Sequence, residues 1–141
     1  MQKITFSLAG EPKGKGRPRF VPNTGRVYTP PETHAYERLV AYSYRNMARG
    51  YKFTAPVRVT IEALHKTPKG KSKKVTQAML DGTILPTKKP DADNVAKIIL
   101  DGLNHIAWDD DTQVVEMVVT KRYSDVSLVT VTIEELNAQR C

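Results

Sequence analysis

The segment from Pro90 to Asp111 constrains this chain most, because it must be a helix with two unlike faces. Val95, Ile98, Ile99 and Leu103 recur at helical spacing and have to be buried. Asp93, Lys97 and Asp101 sit four residues apart and share another face, with Asp91 and Asn94 at the helix mouth. Pro90 disfavours helix at Lys89, so the predicted helix runs over about 92–105. Asp109-Asp110-Asp111 then precedes the apolar run that begins at Gln113. Window 91–111 holds six acids and one base, a net charge of −5. The chain as a whole has 22 basic and 15 acidic residues, net +7, so the rest carries 21 bases and 9 acids, net +12. An acidic knot in a basic field can hold cations against a polyanion, since the field attracts phosphates that the bare knot repels.

Around this helix the periodicities predict an α+β fold in a single small domain spanning 1–141, a mixed β-sheet with helices packed on one face. Residues 2–8 alternate as a strand, and so does the run from Val57 to Leu64. Gly10 to Gly16 is a lysine-bearing turn. Residues 17–21 and 26–28 form a hairpin around Asn23-Thr24-Gly25, which Pro18 places at a sheet edge or outside the main sheet. Thr29-Pro30-Pro31-Glu32 has the form of a capping box that starts a helix running to about Gly50, with Tyr36, Leu39, Val40, Tyr44 and Met47 on its buried side. A short helix over 75–82 and two closing strands, Gln113–Tyr123 and Val126–Glu134, complete the reading.

Composition removes several function classes. There is no apolar run near the roughly 20 residues of a membrane span, no signal-peptide pattern and no amphipathic basic helix, so a cytoplasmic protein with no membrane partner is expected. The single cysteine, Cys141, excludes an intramolecular disulfide. His34, His65 and His105 lack metal-ligand spacing. No nucleotide-type glycine loop and no serine–histidine or cysteine–histidine pair is present. A pI near 9.6 favours nucleic acid as the partner.

Each acidic cluster has a plain structural reading. Asp91 and Asp93 suit a helix N-terminus, Lys97 can pair with Asp93 across one turn, and three acids before a strand can be a solvated turn. If the clusters converge, Asp91, Asp93 and Asp111 could hold a hard divalent ion such as magnesium, and Lys97 could reach a scissile phosphate. Lys13, Lys15, Arg17 and Arg19 alternate along the glycine-punctuated segment, while Lys88 and Lys89 adjoin Asp91; all six are candidate DNA contacts.

The ordered set Asp91-x-Asp93-Asn94-x-x-Lys97-x-x-x-Asp101, then Trp108-x-Asp110-Asp111-x-Gln113-Val114-Val115, resembles the RusA-type crossover-junction endodeoxyribonucleases, the Holliday junction resolvases of phages and prophages. The Lys-Gly-Arg-Pro-Arg segment and the Tyr-Thr-Pro helix start resemble phage-type members more loosely. The resemblance implies a small α+β homodimer with one acidic site per subunit. Such a protein cuts four-way DNA junctions by paired nicks in recombination and repair, with magnesium, or manganese in its place. It also implies that Asp91, Asp93 and Asp111 are catalytic and metal-binding, with Asp110 beside a carried position assisting at the metal and Lys97 as the catalytic lysine. Asp109 stands where an apolar residue is expected, so the ligand among 109–111 stays open. A noncatalytic basic nucleic-acid-binding module is the competing reading. A calcium-binding loop is disfavoured by the spacing of the acids.

Overall fold

The computed structural model describes residues 2–136; Cys141 lies outside them. The element order is β1 (Lys3–Ala9), β2 (Arg19–Val21), β3 (Arg26–Tyr28), α1 (Pro31–Ala48), β4 (Val57–Lys66), α2 (Lys73–Leu80), α3 (Ala92–Leu103), a 3-10 turn (Asp111–Gln113), β5 (Val114–Ser124) and β6 (Leu128–Glu135). Four strands form one mixed sheet in the order β1-β6-β4-β5. β6 runs antiparallel to both β1 and β4, whereas β5 runs parallel to β4. A parallel neighbour requires a crossover, and the stretch holding α2 and α3 supplies it. The two closing strands are therefore joined by a turn without pairing, because β6 inserts between β1 and β4 and leaves β5 at the edge.

Strict alternation explains which sheet face is covered. Val57, Val59, Ile61 and Ala63 of β4 are fully buried, with Ile4, Phe6 and Leu8 of β1 and Val129, Val131 and Ile133 of β6 in the same core. α1 contributes Tyr36, Val40 and Tyr44, and α3 contributes Val95, Ile98, Ile99 and Leu103. The opposite face carries Thr5–Thr132 and Ser7–Thr130 hydroxyl pairs and an Arg58 bridge to Glu116 and Glu134. This is the pattern of an antiparallel ladder open to water on one side.

The helices cross closely at Gly102, where an added Cβ would lie 2.8 Å from Val40 Cβ and 3.0 Å from the Glu37 carbonyl oxygen. Trp108 is fully buried at the corner between α3 and β5, bridged to Phe53 and Asn104. As Pro18 led us to expect, β2 and β3 form a separate two-stranded ribbon. Two expectations for α1 fail. Pro30 is its N-cap with no side-chain cap, and Glu32 instead accepts a hydrogen bond from Arg19 at 2.9 Å. Leu39 and Met47 are exposed, since the stripe facing the sheet is narrower than the apolar pattern.

Candidate active site

α3 lies beside β5, and a groove of about 420 Å³ opens between them. Asp93, Lys97 and Asp101 line it from successive turns of the helix, and Met117 and Val119 line it from the strand; Asp111 lies on the same groove. Among the described residues Lys97 makes no ion pair, so the i,i+4 bridge to Asp93 is not formed and the exposed ammonium is free. A second, larger cavity of about 770 Å³ adjoins the helix mouth, lined by Asp91 and Asn94 together with Lys13, Arg17 and Lys89.

Asp91 is the N-cap residue of α3, but its side chain caps no backbone amide. Its Oδ1 accepts from Asn94 Nδ2 at 2.6 Å. Hydrogen bonding with the Asp93 carboxyl is the largest influence on Asp91. Burial opposes it as the next largest influence, but with the backbone and Asn94 donors and the positive field of Lys121 added, the Asp91 carboxyl is held below the usual carboxylate range. Asp91 and Asp93 are therefore neighbouring carboxylates at the start of α3, and like charges placed together favour a cation beside them. Hard oxygen donors of this kind suit a divalent ion such as magnesium. The donor set at this end of the groove thus fits a metal.

Asp111 shares the groove with Asp93 but comes from the opposite end of β5. The level of Asp91 is marked by Lys121, whose Nζ donates to the Lys88 carbonyl oxygen at 2.6 Å and which pairs in register with Ala63. Asp111 precedes Val114, the residue paired with Val57 at the other end of the sheet. Gln113 pins that end by donating to the carbonyl oxygens of Phe53 and Ala55 at 3.0 and 3.3 Å. The eight residues from Asp93 to Asp101 alone rise about 12 Å along the helix. Among the described residues no three carboxylate, imidazole or thiol groups gather closely enough to hold one metal ion. Asp110 caps the 3-10 turn in a reciprocal capping box with Gln113 and accepts from Thr112 at 3.1 Å. Asp109 bridges to Lys52 at 2.8 Å.

The basic residues divide into two groups. Lys13, Arg17 and Lys89 are exposed around the Asp91 cavity, and exposed Lys88 adjoins them. Lys15 is instead turned inward, its Nζ donating to Glu37 Oε2 at 2.5 Å and bridging to Asp101 Oδ2 at 2.9 Å. Arg19 is paired with Glu32. Gly14 and Gly16 make this inward path possible: a Cβ at Gly14 would lie 2.8 Å from Pro90 Cβ, and one at Gly16 would lie 2.5 Å from Thr33 Oγ1. Sequence reasoning missed Lys121, although the period of two on β5 places it on the face of Met117 and Val119. It also missed Glu37, for which no local signal exists.

Comparison with known proteins agrees with the motif. The chain is 35% identical to the uncharacterized protein YqaN of Bacillus subtilis (strain 168) over 142 residues, covering 98% of this chain and 100% of that protein. Residues 9–134 match the family described as endodeoxyribonuclease RusA, a span that includes the ribbon, α3, both acidic clusters and the whole groove. By that near-complete match the chain belongs to the RusA endodeoxyribonuclease family.

Proposed function

We propose that this protein is a homodimeric, divalent-metal-dependent endodeoxyribonuclease that resolves four-way DNA junctions by paired nicks in recombination and repair, acting in the cytoplasm. The observation that carries the reading is the groove in which Asp93, Lys97, Asp101 and Asp111 meet, next to a cavity at the helix mouth lined by Asp91, Lys13, Arg17 and Lys89. Asp91 and Asp93 would hold magnesium or manganese. Bound there, the ion supplies Lewis-acid polarisation of the phosphodiester and a more acidic water. Lys97 faces the groove and offsets charge developing on the scissile phosphate. Lys13, Arg17, Lys88 and Lys89 hold the flanking phosphates and set the register of the strand. Lys15 and Arg19, both engaged by carboxylates, shape the loop that carries these contacts.

That no third carboxylate gathers with Asp91 and Asp93 among the described residues favours a composite site in the dimer, with Asp111 of a second copy completing each metal cluster. β5 supports this, because among the described residues its outer edge is unpaired by any strand along 11 residues and exposes Val115, Met117 and Val118. Unpaired apolar edges of that length are ordinarily covered. Two-fold symmetry also matches a substrate with two equivalent strands to cut.

Labelled four-way DNA incubated with magnesium and resolved on a denaturing gel tests both parts. Asp93→Asn and Asp111→Asn should each be inactive alone while still binding junctions. Mixed after subunit exchange, they should regain single nicks, because one of the two shared sites in a heterodimer is intact. A mixture that stays inactive would sink the shared site. Full turnover by Asp93→Asn with metal in excess would sink the nuclease assignment itself.

A further inference from the structure

We infer that the β2–β3 ribbon is a branch-point wedge, with Phe20 and Val27 packing against the base-pair face left open where two DNA arms part. This rests on the junction-directed reading above and adds a contact unlike the phosphate contacts named there. Phe20 and Val27 are directly opposed across the ribbon, 62% and 63% exposed, and share one face. The other face carries the paired positions Arg19–Tyr28 and Val21–Arg26. The ribbon is therefore apolar on one side and mixed on the other, where Arg26 carries the positive charge and Arg19 is paired with Glu32.

Each strand has three residues and the main sheet does not include them, so the ribbon lacks the support that isolated hairpins need. A large aromatic side chain held out on such an element gains stability only from a partner. The charge of the second face selects the partner's chemistry. Intact duplex offers phosphates but encloses its base faces; a branch point offers an open base-pair face beside a phosphate backbone, and the two sides of the ribbon match both.

Position supports the same partner. The stretch leading to the ribbon is fixed beside the acidic pair: the Lys15 backbone N–H donates to the Asn94 carbonyl oxygen at 3.0 Å, and the Gly16 N–H donates to Thr33 Oγ1 at 3.2 Å. Arg19 begins three residues after Gly16, a reach of at most about 10 Å. The wedge is thus carried within a short, tethered distance of the carboxylates proposed to cut. The Arg19–Glu32 bridge fixes its base to the start of α1.

The test uses a four-way junction with 2-aminopurine next to the branch and a linear duplex of the same sequence, both without divalent metal to prevent turnover. Phe20→Leu keeps an apolar residue that the ribbon tolerates but removes the aromatic plane; Phe20→Ala removes both, and Phe20→Trp retains stacking. We expect the Leu and Ala variants to weaken junction binding by about 5- to 150-fold, the range for losing one stacked base. They should also lose the branch-specific fluorescence change, keep duplex binding within about twofold of wild type and melt like wild type. Trp should restore the fluorescence change. Junction binding unchanged in both the Leu and Ala variants, or junction and duplex weakened equally, overturns the wedge and leaves the ribbon as a surface for a protein partner. Wild type that binds no branched DNA overturns the junction reading as well, which separates the two failures.

Discussion

Replacing Lys15 with Met should damage the fold rather than DNA contact. The side chain is 19% exposed, and its ammonium is held between Glu37 (17%) and Asp101 (33%) at 2.5 and 2.9 Å. Hydrogen bonds to charged groups contribute about 1.5–3 kcal/mol each when well sheltered, and these are only partly so. Removing the cation also leaves two carboxylates that shared one nitrogen facing each other across a few ångströms. Together these effects should cost about 2–4 kcal/mol, a fall in melting temperature of roughly 6–15 °C. Burial alone pushes the ammonium down, but the hydrogen bonds and fields of Glu37 and Asp101 outweigh it and raise the group above 10.5. A raised cation contributes stability in full below its unfolded value and loses it as pH rises through the folded one. The difference between wild type and Lys15→Met should therefore be constant from neutral pH to about pH 9 and shrink above about pH 10.5. Thermal melts at three pH values read this directly. Lys13→Met is the contrast: it should melt like wild type but lower DNA affinity and reduce the salt slope by about one. A Lys15→Met protein that melts like wild type and shows the reduced salt slope would refute the strut.

Two further outcomes test the packing. Gly102→Ala should lower stability by about 1–3 kcal/mol in a denaturant titration despite the helix-propensity gain of about 1 kcal/mol, because the new methyl meets Val40 and the Glu37 carbonyl. A stabilised variant would mean that α1 and α3 separate freely. His65 is 1% exposed with neither ring nitrogen hydrogen-bonded, and Glu11 stands 3.8 Å away. Burial, then Lys88 and Lys121, push it below its usual value of 6.5, so the unfolded chain binds the proton more readily and stability falls as pH drops below that value. His65→Leu should gain about 1 kcal/mol at pH 7 and flatten the loss between pH 7 and 5; a variant less stable at both pH values would refute this.

Much of the fold was legible because its signals are local. The alternation in β1 and β4, the buried stripe of α3 and the exclusion of the ribbon by Pro18 all follow from side-chain period and a missing donor. Strand order was not legible. β5 and β6 carry similar patterns, and nothing within either tells which one fills the gap between β1 and β4. The capping box at Thr29 failed for a related reason: Glu32 had a distant competitor in Arg19. Within the site, Lys97 and Asp93 on one open face could be read from spacing four. The inward turn of Lys15 depended on Glu37 and Asp101, 22 and 86 residues away along the chain, and no alternation of lysines can report that. The same alternation grouped Lys15 and Arg19 with Lys13 and Arg17, which the structure separates.

The reading of Asp91 and Asp93 as ordinary helix-start residues was hard to exclude from sequence because the structural and chemical roles favour the same place. Acids near a helix N-terminus gain about 0.3–1 kcal/mol each from the helix dipole. That offsets part of the repulsion between two carboxyls in contact, and the field of Lys121 offsets more. A helix mouth is thus where an otherwise basic protein can keep an anionic pair at low cost, which is where the proposed function needs one. What distinguishes the site from a simple cap is the use of the side chains. A capping carboxylate bonds the amides of its own first turn, but Asp91 bonds none of them in that way and turns to Asn94 and Asp93. At the other cluster, the Asp110 carboxylate accepts from Thr112 at the start of the 3-10 turn, while Asp111 lies on the groove. Acids that look alike in sequence therefore separate by what their carboxylates engage, and the function proposed above places the cation on Asp91, whose side chain caps no amide of α3, and on its neighbour Asp93.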